Sequence, residues 1–134
     1  MVTKIRAPKK YNISKYRFRE VLNHCYQYNE WKAELAENDS TLKARAYTGM
    51  PSGSGSSNET EALAIRRMEL KKKIETIEQT AIEADAELYP YIIKAVTNEW
   101  ATFRYLKDSL GMPCEKDMFY ERRRRFYYLM SKKI

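Results

Sequence analysis

Residues 102–133 read TFRYLKDSLGMPCEKDMFYERRRRFYYLMSKK, and this stretch decides the predicted fold. Apolar side chains recur at three- and four-residue spacing as far as Leu110, and the pattern resumes near Glu115 for a longer run. Gly111 and Pro113 separate the two runs. Glycine readily adopts the left-handed conformation that ends a helix, and proline cannot continue one. The stretch therefore predicts two helices joined by a tight turn.

Another helix is predicted just upstream, beginning near Leu88. Pro90 suits its first turn, because the N–H group that proline lacks needs no partner there. Its apolar face is formed by Tyr89, Ile92, Ile93 and Val96. A short helix, a turn carrying glycine and a longer basic helix are the parts of a helix-turn-helix. Residues 87–134 are therefore predicted to form a three-helix unit whose last helix enters the major groove of DNA.

Helical spacing gives the last helix an apolar side that must pack on the two helices before it. The residues predicted to point inward are Met118, Phe119, Phe126, Leu129 and Met130. Arg122 lies in the middle of that side, where an unpaired guanidinium would be costly. We expect it to snorkel or to pair with an acid such as Glu99 or Asp108. Arg122→Ala should then mainly reduce stability.

The first turns of such a helix read bases, and its later cations contact the phosphate backbone. The predicted DNA-binding residues are Lys116, Asp117, Tyr120 and Glu121 for bases, Arg123 and Arg124 for phosphates, and Tyr127 for a phosphate hydrogen bond or stacking. Arg124 is expected to face outward, so that reversal of its charge should weaken binding strongly. The alternative is that the four consecutive arginines are merely a solvated helix end.

The rest of the chain divides by composition into three further segments. Residues 1–36 are predicted to be a basic arm and a helix capped by Ser14, and residues 37–57 a flexible linker containing the Gly/Ser tract. A long central helix is predicted over 58–86, opened by the capping pair Asn58 and Glu61. We expect the first helix to pack on the long helix as a hairpin.

The long helix also repeats apolar residues every seven positions, at Leu63, Leu70 and Ile77. Such a seam is typical of a coiled coil, but it lasts only about three heptads. Packing within the chain and formation of a homodimer through this helix both remain open.

The charge of the chain favours a polyanionic partner. The formal net charge is +7, from 25 Lys and Arg against 18 Asp and Glu. Both ends are basic, with eight cations against three acids in residues 1–36 and ten against six in residues 86–134. No run approaches the ~20 apolar residues of a membrane span, and the N-terminus lacks the apolar core of a secretory signal. We predict a soluble, cytoplasmic protein with no membrane partner.

The sequence offers little for metal, cofactor or enzyme chemistry. Cys25 and Cys114 are far apart and His24 is the only histidine, so Cys and His cannot assemble a four-ligand zinc site. The acids of residues 83–87 lack a second carboxylate cluster with which to hold Mg²⁺. The Gly/Ser tract lacks the Lys-Ser or Lys-Thr of a phosphate-binding loop. We predict no metal, no cofactor and no enzymatic activity.

The tail resembles the C-terminal region of small phage and prophage transcription regulators of the ArpU and RinA type. FYERRRRFYYLMSKK, at residues 119–133, shares their aromatic pair, basic residues and closing leucine. These regulators are similar to the promoter-reading helix-turn-helix of sigma factors. The resemblance covers roughly the last fifty residues and implies control of late-gene transcription in a bacterial host cell. The turn departs from the pattern, with Met112, Pro113 and Cys114 where small polar residues are usual.

Two other functions remain open. A DNA-recognition subunit of a phage packaging machine would form a ring, which its mass in solution would reveal. A helical interaction factor would bind a protein such as RNA polymerase or a host defence factor, and the 11 tyrosines of the chain suit such a surface.

Overall fold

The computed structural model describes residues 11–48 and 54–134, and all regular structure in these residues is helical. The helices are α1 (Lys15–Cys25), α2 (Tyr28–Thr48), α3 (Ser54–Ala84), α4 (Tyr89–Thr97), α5 (Phe103–Asp108) and α6 (Lys116–Ser131). The predicted all-α class is confirmed. No helix among the described residues is both long and apolar enough to cross a membrane.

The helices form two compact units, with α3 contributing to both. The α6 unit comprises the described residues up to 27 together with 76–134, and the hairpin unit comprises the described residues within 28–75. In the hairpin unit, α2 and α3 run antiparallel, since Glu34 pairs with Arg66 while Arg45 pairs with Glu59.

The predicted linker over 37–57 is largely wrong. Helix α2 continues to Thr48 and α3 begins at Ser54, and residues 49–53 lie outside the described residues. The residues after Glu37 suit a helix because Leu42 continues the spacing begun by Leu35 and glycine is absent before residue 49. The predicted cap at Asn58 fails for the same reason, since α3 has already begun there.

The predicted first helix is in fact two helices, interrupted at residues 26 and 27. Its second part, α2, forms the expected hairpin with α3. Its first part, α1, packs instead on α6, with the ring of Phe18 edge-on to that of Tyr127 at 5.1 Å between centroids. Arg17 Nη2 also donates to the carbonyl oxygen of Ser131 at 2.8 Å, which satisfies a backbone acceptor at the end of α6.

Local helix signals in the α6 unit are confirmed. The Arg17 amide donates to Ser14 Oγ at 3.3 Å, as expected of an N-cap. Pro90 lies in the first turn of α4, and Gly111 has φ +69° in the turn between α5 and α6. The fully buried side chains of this unit include Phe119, Phe126 and Met130, as predicted.

The coiled-coil seam of α3 is occupied within the chain. Leu70, Ile74, Ile77 and Ala81 are buried, so this face is not available to a second copy without disturbing the fold. Leu63, the first residue of the predicted seam, is only half-buried, and a homodimer through the long helix stays a prediction.

Candidate nucleic-acid interface

Helix α6 is covered along most of its length. Helix α1 covers one side through Phe18 and Tyr127, and α5 covers another through Phe103, whose ring centroid is 5.9 Å from that of Phe119. On a third side, the hydroxyl of Tyr11 donates to Glu121 Oε2 at 2.9 Å. A helix surrounded in this way cannot lie in a groove along its whole length.

The first turn of α6 remains exposed. Lys116 and Asp117 both project into solvent, as the prediction of a base-contacting end requires. Met118 is also 43% exposed, so its predicted inward position is wrong. It precedes the level at which α1 and Tyr11 cover the helix.

Tyr127 is not available to DNA. Its side chain is 6% exposed and packs between the rings of Phe18 and Phe126. Burial raises the pKa of its hydroxyl well above the ordinary value. The predicted phosphate or stacking contact of Tyr127 is therefore wrong, because α1 covers the side of α6 that the sequence suggested was free.

Glu121 is likewise engaged within the fold. Its carboxylate accepts hydrogen bonds from the Tyr11 hydroxyl and from Arg122, with Tyr11 also packing 5.7 Å from the ring of Tyr128. These two bonds fix the carboxylate within the fold, so a cytosine amino group could bind it only by displacing or sharing them. The predicted base contact of Glu121 does not fit this geometry.

Arg122 is held by acids, although not by those predicted. Its Nε donates to Asp85 Oδ2 at 2.9 Å, and its Nη1 donates to Glu121. The Asp85 carboxylate also accepts from the backbone amides of Glu87 and Leu88 at 2.8 Å each. Burial raises the pKa of Asp85, but these hydrogen bonds and the Arg122 charge outweigh burial and leave that pKa below its ordinary value.

The other three arginines of the run have no carboxylate at ion-pair distance among the described residues. The guanidinium of Arg123 lies over the ring of Tyr120, 4.8 Å from its centroid. Arg124 is half-buried rather than outward, and its buried Nε has no acceptor. Arg125 makes a 3.5 Å contact with the carbonyl oxygen of Glu83.

Four predicted residues and one unpredicted residue therefore form a common surface, which we call the α6 patch. Its members are Lys116, Asp117, Tyr120 and Arg123 of α6, and Phe103 of α5. The ring of Phe103 lies 6.1 Å from that of Tyr120, which in turn supports Arg123. Sequence spacing could not place Phe103 here, because its position depends on the angle at which α5 crosses α6.

The α6 patch combines two cations, a tyrosine hydroxyl and one acid. Stacking on Tyr120 limits the freedom of the Arg123 side chain, so less conformational entropy is lost when its guanidinium binds an anion. Arg123 also lies close enough to Tyr26 to favour the ionised form of that tyrosine, although burial and Glu99 together raise its pKa. Groups of these kinds can bind anionic oxygens and can exchange hydrogen bonds with polar atoms.

The described residues offer no comparable metal or thiol site. No group of three or more His, Cys, Asp or Glu side chains among them is arranged to hold a metal ion. Cys25 and Cys114 are both buried free thiols, and burial raises the pKa of Cys25 to about 12. A thiol with such a pKa is a poor nucleophile.

In comparisons with known proteins, the chain matches no protein-family model, and no curated protein or solved structure is significantly similar to it.

Proposed function

We propose that this protein is a DNA-binding transcriptional regulator of a phage or prophage, and that it contacts duplex DNA with the α6 patch. The observation that carries the proposal is Arg123. Its guanidinium lies over the ring of Tyr120 midway along α6, it is only partly buried, and it has no carboxylate partner among the described residues. The +7 net charge and the resemblance of the tail to ArpU and RinA regulators support the same function.

The burial pattern restricts how DNA would be bound. Because α1 and Tyr11 cover the later turns of α6, the helix would insert its N-terminal end into the major groove rather than lie along it. Lys116 and Asp117 would then reach base edges, and Arg123 would reach a phosphate or a guanine. Arg124 is a weaker candidate than the sequence suggested, since its Nε is buried.

The test is a binding selection from a random pool of duplex DNA, followed by titration of the selected duplex at several salt concentrations. Arg123→Gln should weaken binding by about 1–3 kcal/mol and, where the contact is a phosphate, lower the salt dependence by about one counterion. Arg66→Gln is the matched control, because Arg66 is paired with Glu34 in the hairpin unit. Failure of the wild-type chain to bind any duplex at low salt would exclude the proposal.

The mass of the protein in solution separates regulation from DNA packaging. A monomer or dimer supports a regulator, and a closed ring of many subunits supports a packaging component. A protein-interaction role is favoured by a different feature, the exposed pair Ile65 and Met68 on α3. Ile65→Gln with Met68→Gln, which adds no charge, should leave DNA binding unchanged if regulation through the α6 patch is correct.

A further inference from the structure

Trp100 is exposed although it is the kind of side chain that folding usually covers. Its side chain is 57% exposed in the short connection between α4 and α5, whereas Trp31, the other tryptophan of the chain, is 5% exposed in the hairpin unit. A large aromatic surface left in solvent is a frequent mark of a contact site.

The exposed indole is held in a fixed orientation. Its ring meets that of Tyr105 edge-on at 5.0 Å between centroids, and the ammonium group of Lys94 lies 5.4 Å from the ring centroid. The indole N–H, which can only donate, has no acceptor among the described residues. The site thus offers a neutral donor at the edge of the Trp100 ring and a cation over its face, and each of these groups can bind an anionic oxygen.

This pair lies across helix α5 from the α6 patch. Tyr105, which contacts Trp100, is two residues from Phe103, which contacts Tyr120. Two cation–π contacts therefore lie on either side of α5. One joins Lys94 to Trp100 and the other joins Arg123 to Tyr120.

We propose that Trp100 and Lys94 form a second contact to the DNA backbone, with the indole N–H and the ammonium group bound to phosphate oxygens beside the major-groove site. The proposal rests on the proposed function, and it predicts a longer footprint than the α6 patch alone would give. Hydrogen bonds from protein side chains to phosphates set the register of a protein on its duplex. Trp100 would thus determine where α6 enters the groove.

Tryptophan fluorescence provides a direct readout. In a Trp31→Phe variant, Trp100 is the only tryptophan, so its emission and its quenching by acrylamide report on this site alone. Titration with the duplex selected above should change the emission and protect the indole from acrylamide, and high salt should reverse both effects. A Trp100→Phe variant with Trp31 retained is the control, and its emission should not respond to DNA.

Affinity measurements separate the two groups. Trp100→Phe keeps an aromatic ring over Lys94 but removes the N–H donor, and we expect roughly tenfold weaker binding with an unchanged salt slope. Lys94→Gln should lower the salt slope by about one counterion. The exposed Lys71 of α3 provides the matched control, and Lys71→Gln should change neither quantity.

The two proposals fail in different ways. If the wild-type chain binds no duplex, the proposed function fails and this one with it. If the wild-type chain binds DNA while Trp100 emission and the affinity of Trp100→Phe are unchanged, only the second contact is overturned. Binding of purified RNA polymerase that Trp100→Phe weakens, with DNA affinity unchanged, would also overturn it, in favour of a protein contact. Thermal unfolding of Trp100→Phe should match that of the wild type, since the substituted side chain is exposed.

Discussion

Arginines in the two units of the molecule meet different partners. In the hairpin unit, carboxylates on the facing helix pair with all the arginines, which are Arg45 with Glu59, Arg66 with Glu34 and Arg67 with Asp39. In α6, only Arg122 has carboxylate partners, and the next three arginines have none among the described residues. The same residue type thus joins helices in one unit and leaves its charge available in the other.

The run of four arginines from Arg122 to Arg125 is therefore not a single functional element. Arg122 and Arg123 are neighbours in sequence, but successive side chains on a helix point in different directions. Arg122 reaches the acid-rich turn after α3, and Arg123 reaches the ring of Tyr120. A charge count cannot separate them, whereas single substitutions can.

The largest effect on stability is expected for Arg122→Ala. The substitution leaves the Asp85 side chain, which is 10% exposed, without its charged partner. Because Arg122 itself is about one-third exposed, the loss should be about 1–2 kcal/mol rather than the 3–5 kcal/mol of a fully buried pair. Urea unfolding followed by circular dichroism measures it.

Arg125→Ala is the matched control for that measurement, since Arg125 makes only a 3.5 Å contact with a backbone carbonyl. Its free energy of unfolding should remain close to that of the wild type. Equal losses for the two variants would mean that the run acts as one element, contrary to the comparison above.

A smaller effect is expected for Arg66→Ala in the hairpin unit. Arg66 donates to both oxygens of Glu34, at 2.8 and 3.0 Å, but the pair is solvent-accessible and therefore screened. The urea midpoint should fall less than for Arg122→Ala, and the loss should shrink as salt is added. Affinity for DNA should not change, and a marked loss of affinity would show that the hairpin arginines also contribute to binding.

The smallest effect concerns acid pH and Asp85. Because the pKa of Asp85 is lower in the folded chain than its ordinary value, its ionised form stabilises the fold at neutral pH. That contribution should be lost as the pH falls from its ordinary pKa, about 4, through the lowered value. Asp85→Asn should remove this part of the pH dependence while leaving the rest of the acid unfolding curve unchanged. An unaltered curve would mean that the Asp85 pKa is the same in the folded and unfolded chains.

What the sequence predicts correctly is local. The cap at Ser14, the turn at Gly111 and the buried face of Phe119, Phe126 and Met130 all depend on residues within a few positions of one another. Such signals are contained in propensity and periodicity.

What it predicts wrongly depends on distant segments. Tyr127 and Glu121 were assigned to DNA because nothing near them in sequence covers them, yet α1 and Tyr11, more than 100 residues away, do so. The sequence could not identify Asp85 as the partner of Arg122 either, since any carboxylate of the chain can pair with a guanidinium. Only the packing of the helices determines which acid lies close to Arg122.

Glycine is required at position 111, in the turn before α6, because of its backbone conformation. A Cβ atom at this position would meet no other atom within 4 Å, so no neighbouring side chain requires glycine. The requirement comes from its φ of +69°, which costs other L-residues about 1–2 kcal/mol. The turn that leads into α6 thus includes a backbone conformation that glycine adopts without steric cost. Among related sequences, we expect glycine or asparagine to persist here even where the surrounding residues have all diverged.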